Sequence, residues 1–119
     1  MKLLFVCVGN SCRSQMAEGL ARSMGHEAFS AGSHPGDKVA SNAVVAMEEI
    51  GIDISAQYPK NVDLFLGDKF DMVISMGCGV SCPNISIDTD WNLEDPHGMH
   101  LEKFQEIRKL IKKHLIELG

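Results

Sequence analysis

The chain predicts an α/β protein: a single three-layer domain over residues 1–119, with a four-stranded parallel sheet and helices on both faces. Three observations lead there. Short apolar runs, such as Leu3–Val8 and Met72–Ile74, alternate with longer stretches of helical periodicity. Those runs are continuous rather than alternating, the mark of strands buried on both faces. And 119 residues, 45% hydrophobic and 23% charged, supply one core without a disulfide or metal staple.

Strand one is Leu3–Val8. Helix one, Ser14–Met24, repeats Met16, Leu20 and Met24 at four-residue spacing and stops at Gly25. Glu27–Ala31 is a short second strand. The second helix spans Asp37–Ile50, with Val39, Ala43, Ala46, Met47 and Ile50 on one face and Gly51 at its C-terminal cap. Residues 53–70 are irregular apart from a helical turn around Val62–Leu66. Asp71–Met76 is the third strand and Asn84–Asp88 the expected fourth. The last helix runs from about Gly98 to Leu118. Its apolar stripe is Leu101, Phe104, Ile107, Ile111, Leu115 and Leu118. Glu102, Lys103, Glu106, Lys109, Lys112 and Lys113 form its solvated side, and the seven methionines read as core packing. Such alternation winds with right-handed crossovers, and its ligands bind at the carboxyl ends of strands. The loops after strands one and three are therefore where function is expected.

Eleven Lys and Arg against sixteen Asp and Glu give a net charge of −5. An acidic protein of this size is a poor partner for nucleic acid or an anionic membrane, so neither is expected. Any anion it binds must be held by a local device. No apolar run approaches the roughly 20 residues that span a bilayer. The apolar start ends at Gly9–Asn10, too short for a signal peptide. The expectation is a cytoplasmic monomer, there being no surplus apolar stripe.

Cys7–Val8–Gly9–Asn10–Ser11–Cys12–Arg13–Ser14 lies between a buried strand and a helix start. A loop feeding a helix N-terminus presents unpaired backbone N–H groups, and the helix dipole favours an anion there. Gly9 permits the turn that points those groups inward. Arg13 can grip two oxygens of a tetrahedral oxyanion with its planar fork. Cys7 would lie beneath the anion, where these donors favour a thiolate nucleophile and Ser14 can donate to its sulfur. The bland alternative is a plain strand-to-helix turn with a buried Cys7.

The four cysteines fall into two pairs, Cys7 with Cys12 and Cys78 with Cys82. In a reducing compartment, clustered cysteines are more often catalytic or metal-binding than structural. Cysteines four apart on a helical turn have Cα atoms about 6 Å apart, within disulfide range. Two unconnected buried thiols, or a zinc site using all four cysteines, are the alternatives. Against zinc, the spacings are not Cys-x2-Cys and Arg13 already commits Cys7 to another role.

From Phe5 to Gly19 the chain reads Phe-Val-Cys-Val-Gly-Asn-Ser-Cys-Arg-Ser-Gln-Met-Ala-Glu-Gly. This resembles the phosphate-binding loop of low-molecular-weight protein tyrosine phosphatases. It looks more closely still like the thioredoxin-coupled arsenate reductases built on that fold. Ser30-Ala-Gly32 and the stretch Asn42–Ser55 extend the resemblance, which runs from Lys2 to about Gly98.

The resemblance implies arsenate as substrate, Cys7 as nucleophile and Val8–Ser14 as its oxyanion cradle. It implies Cys78 and Cys82 as redox partners, although their gap is shorter than the family's usual one. Asp95 before Pro96 matches the family's general acid, needed because an oxygen leaving arsenic or phosphorus must be protonated. It further implies thioredoxin or a similar dithiol as reductant, no bound cofactor, and no step for Cys12, which reads as structural. Some reductases of this type bind potassium through positions matching Asn10, Glu18 and Ser30. The fourth position falls on Lys60, so potassium dependence is not expected. Phosphatases of the family place aromatic residues after the Asp-Pro, whereas His97 and Gly98 follow here; with His100, these histidines are expected at the surface. The competing functions are a phosphatase for a small phosphate ester and a redox- or metal-responsive thiol module.

Overall fold

The computed structural model describes residues 1–77 and 85–118. In chain order it contains β1 (Lys2–Cys7), α1 (Arg13–Ser23), β2 (Glu27–Gly32), α2 (Ser41–Glu48), a 3-10 turn (Val62–Phe65), β3 (Met72–Ser75), β4 (Thr89–Asp90) and α3 (Leu101–Leu118). The strands form one four-stranded sheet in the order β2-β1-β3-β4. Every pairing is parallel, as the alternating pattern requires. β2 lies on one side of β1 and β3 on the other, so the winding reverses at β1. Its carboxyl end, Cys7, is the switch point where such sheets bind ligands.

Alternate residues of β1 serve the two layers around the sheet. Leu3, Phe5 and Cys7 join the core beneath all three α-helices, with Met16, Leu20, Ala43, Met47, Phe104, Ile107 and Ile111. Leu4 and Val6 point the other way, where Val62 of the 3-10 turn and a cluster of Phe29, Phe65 and Phe70 cover them. The fold is three-layered but uneven: α1, α2 and α3 share one face, and among the described residues the helical cover on the other is the 3-10 turn. No helix among the described residues is long and apolar enough to cross a membrane.

Several boundaries differ from expectation. The fourth strand is Thr89–Asp90, and residues 85–88 are not strand. Asp88 instead clasps the end of β3, its N–H donating to the Val73 carbonyl and its carboxylate accepting the Val73 N–H. α2 begins at Ser41 rather than Asp37, because Ala40 turns its N–H away to the Ser11 carbonyl. α3 begins at Leu101, after Gly98 bends the chain at φ +76°. Met24 and Ile50 lie beyond the ends of their helices and are exposed. Of the seven methionines, Met16, Met47 and Met76 are buried in the core and Met72 packs against it half-buried; Met1, Met24 and Met99 are exposed.

Candidate active site

β1 ends at Cys7 and α1 begins at Arg13, so five residues carry the chain from strand to helix. Cys12, the N-cap, makes no side-chain capping bond, and the first turn of α1 holds no acidic residue. The positive end of that helix is thus left for an anion.

The loop is held inside out. Each carbonyl from Cys7 to Cys12 is engaged by a donor. Those of Cys7, Val8, Gly9 and Ser11 accept the backbone N–H groups of Ser33, His34, Gly36 and Ala40, at 3.3, 2.9, 2.9 and 2.9 Å. The Asn10 carbonyl accepts from Gln15 Nε2 at 2.9 Å, and the Cys12 carbonyl from the Met16 N–H at 3.1 Å. Carbonyls committed outward leave the amides to line the inside, the geometry of an anion-binding nest. Asn10 reaches this path in the left-handed region, at φ +51°.

Cys7 Sγ sits at the foot of this cradle. The Asn10 N–H donates to it at 3.1 Å, and Ser14 Oγ is 2.8 Å away. Asn10 Nδ2 donates to Ser14 Oγ at 2.7 Å, which directs the serine proton to the sulfur. Sequence placed Ser14 there; the Asn10 relay behind it is a product of the folded loop.

Arg13 is buried, and its Nη1 donates to the Met76 carbonyl at 3.0 Å and the Leu93 carbonyl at 2.8 Å. These bonds join α1 to the ends of β3 and of the strand-four loop. Arg13 Nη2 lies 3.9 Å from the Asp95 carboxylate, whose side chain is half exposed. Asp95 Oδ1 accepts the His97 N–H at 3.0 Å, fixing the turn that follows it. Cys7, Val8, Gly9, Ser11, Cys12, Arg13 and Asp95 therefore line one cleft of about 270 Å³. His34, Gly36 and His97 complete its rim, which the sequence reading did not anticipate for residues 34 and 36.

Cys78 and Cys82 lie outside the described residues. Gly77, just before Cys78, sits at φ +114° against Arg13 and Leu93. A Cβ there would approach the Leu93 carbonyl oxygen to 2.9 Å, so only glycine suits that position.

Burial pushes the Cys12 thiol up to about 11, with a smaller opposing pull from its hydrogen bond to Ser11. A thiol of that kind stays protonated through neutral pH and is a poor nucleophile. At pH 8, iodoacetamide followed by peptide mapping should therefore label Cys7 well before Cys12. Equal labelling of the two would contradict a structural Cys12.

Glu18 is buried beside the cradle. It accepts from Ser30 Oγ at 2.7 Å and meets Arg22 at 3.3 Å and Lys60 Nζ at 3.8 Å. Burial lowers the Lys60 pKa, with Glu18 pulling it back up. The Lys60 ammonium also donates to the Tyr58 carbonyl at 2.9 Å. Of the three positions, Glu18 thus has the Lys60 ammonium as a neighbour, Ser30 donates to Glu18, and Asn10 Oδ1 accepts the Lys60 backbone N–H at 2.9 Å. Among the described residues, no group of three or more His, Cys, Asp or Glu is placed to hold a metal.

This strand–loop–helix cradle extends into a match over the whole chain. Residues 2–119 fit the family model described as low molecular weight phosphotyrosine protein phosphatase. The chain belongs to that family. Within it, the chain is 43% identical to the glutaredoxin arsenate reductase of a Synechocystis species, over 98% of this chain and 95% of that protein. A solved structure described as an arsenate reductase in the phosphate binding state superposes with a TM-score of 0.89 at 42% identity, covering 98% of this chain and 95% of the other. A low molecular weight protein tyrosine phosphatase from T. tengcongensis superposes with a TM-score of 0.80 at 31% identity, over 99% and 97% of the two chains. The parallel sheet described above is thus one that these solved relatives share.

Proposed function

We propose that the protein reduces arsenate to arsenite by a relay of three thiols. The observation that carries this reading is Cys7 Sγ, met by Asn10 N–H and Ser14 Oγ at the foot of a cleft lined by loop residues, Arg13 and Asp95. The Cys7 thiolate attacks arsenic, and Asp95 protonates the oxygen that leaves as water. Arg13 and the loop amides hold the remaining oxygens and the charge that gathers on them. Cys78 then attacks the Cys7 sulfur. The sulfur–arsenic bond breaks with its electron pair going to arsenic, which departs as arsenite and leaves a Cys7–Cys78 disulfide. Cys82 attacks Cys78, which frees Cys7 and forms Cys78–Cys82 for reduction by an external dithiol. The two electrons come from thiols alone.

Both thioredoxin and glutaredoxin with glutathione belong to the chemical class of reductant required, and the name of the Synechocystis relative gives weight to the second. Arsenate-dependent NADPH oxidation in each recycling system, with arsenite measured as product, tests the proposal. Sustained turnover in either system is expected. A second reading rests on the same cleft: Cys7, Arg13 and Asp95 suffice to hydrolyse a small phosphate ester, with Cys78 and Cys82 idle. No arsenate turnover in either system, with hydrolysis of an aryl phosphate, would replace reduction by that reading.

A further inference from the structure

Of the six loop carbonyls from Cys7 to Cys12, five take backbone N–H donors and one takes a side chain. The exception is Asn10, the loop residue in the left-handed region, whose carbonyl accepts from Gln15 Nε2 at 2.9 Å. Gln15 has no accessible surface at all. Its Nε2 also lies 3.1 Å from Asn10 Oδ1 and 3.0 Å from the Tyr58 carbonyl. Its Oε1 accepts from Gln57 Nε2 at 2.7 Å, which fixes the amide so that Nε2 faces the loop. Asn10 in turn donates its N–H to Cys7 Sγ and its Nδ2 to Ser14 Oγ. One buried amide therefore sets the residue that orients both donors on the nucleophile.

We infer that Gln15 is a positioning residue for Cys7 and the oxyanion cradle, acting through Asn10. It touches neither substrate nor sulfur. Without its donor, the Asn10 carbonyl has no outward partner, and the peptide can rotate so that its oxygen enters the cradle and its neighbours' N–H groups leave it. The inference rests on the oxyanion reading of the cleft but not on arsenate reduction.

The test is protection of Cys7 from iodoacetamide by inorganic phosphate, followed by peptide mass spectrometry. Gln15→Met keeps the volume and removes the donor. It should weaken phosphate protection about ten- to a hundredfold, as expected when reacting groups shift by about an ångström. Gln57→Met, one bond further out, should change protection by a smaller factor. If Gln15→Met does not fold, Gln15→Glu carries the test, since it keeps the shape and the acceptor for Gln57. Ionised, the glutamate has no donor for Asn10; protonated, it regains one. The deficit of Gln15→Glu relative to wild type should therefore shrink as pH falls, which a merely structural lesion would not do. Folded Gln15 variants protected like wild type, within about twofold at all pH values, would overturn the inference alone. Wild type unprotected by phosphate would overturn the oxyanion reading and this inference with it.

Discussion

Arg13→Lys should lower kcat/KM for arsenate by about 10²–10³, the usual cost of removing a preorganised oxyanion donor. Lysine keeps the charge but loses the planar fork. In the folded protein one guanidinium nitrogen is already spent on the Met76 and Leu93 carbonyls, while the other faces Asp95 across the cleft. An ammonium cannot hold two carbonyls and also present a flat edge to two oxygens. The same substitution should destabilise the fold by about 1–3 kcal/mol, since the Leu93 carbonyl loses its guanidinium donor while the Met76 carbonyl keeps the Leu93 N–H at 3.0 Å. Urea denaturation would report the second effect and steady-state kinetics the first. A lysine variant with kcat/KM within threefold of wild type would remove Arg13 from the oxyanion site.

Gly32→Ala should impair the site from behind. Gly32 ends β2 directly against the cradle, opposite Cys7 in the sheet. A Cβ there would stand 2.5 Å from the Val8 carbonyl oxygen and 3.1 Å from the Asn10 nitrogen. These are backbone atoms, and that Val8 oxygen is pinned by the His34 N–H. Relief requires the loop to move by close to an ångström, which costs on the order of 10²-fold in a positioned reaction. Overpacking adds roughly 1–3 kcal/mol of destabilisation. Phosphate affinity by calorimetry together with a thermal melt would read both. Unchanged phosphate affinity in a folded Gly32→Ala protein would show that the cradle is not braced by β2.

Why the nucleophile was legible in the sequence while its supports were not follows from chain distance. Cys7, Arg13 and Ser14 lie within eight residues, so the strand-to-helix transition alone brings them together. Asp95 needed the family's pattern, because its approach to Arg13 depends on how the chain returns after β4. The brace formed by Ser33, His34, Gly36 and Ala40 acts through backbone N–H groups, which leave no mark on residue type. Helical periodicity even claimed residues 37–40, where pairing with Ser11 wins over helix propensity. Met24 and Ile50 mislead for a related reason: spacing identifies a helix face but not where the helix leaves the core. Lys60 was legible as a misfit in a ligand pattern, and the fold gives that misfit a partner in Glu18.

The relay itself is tested most directly by Cys82→Ser against wild type, in whichever recycling system supports arsenate-dependent NADPH oxidation. The variant should release about one arsenite per protein in a single turnover and then stop, with the Cys7–Cys78 disulfide accumulating. Sustained wild-type turnover in the Cys82→Ser protein would contradict a three-thiol relay and leave Cys7 and Cys78 to be recycled without it.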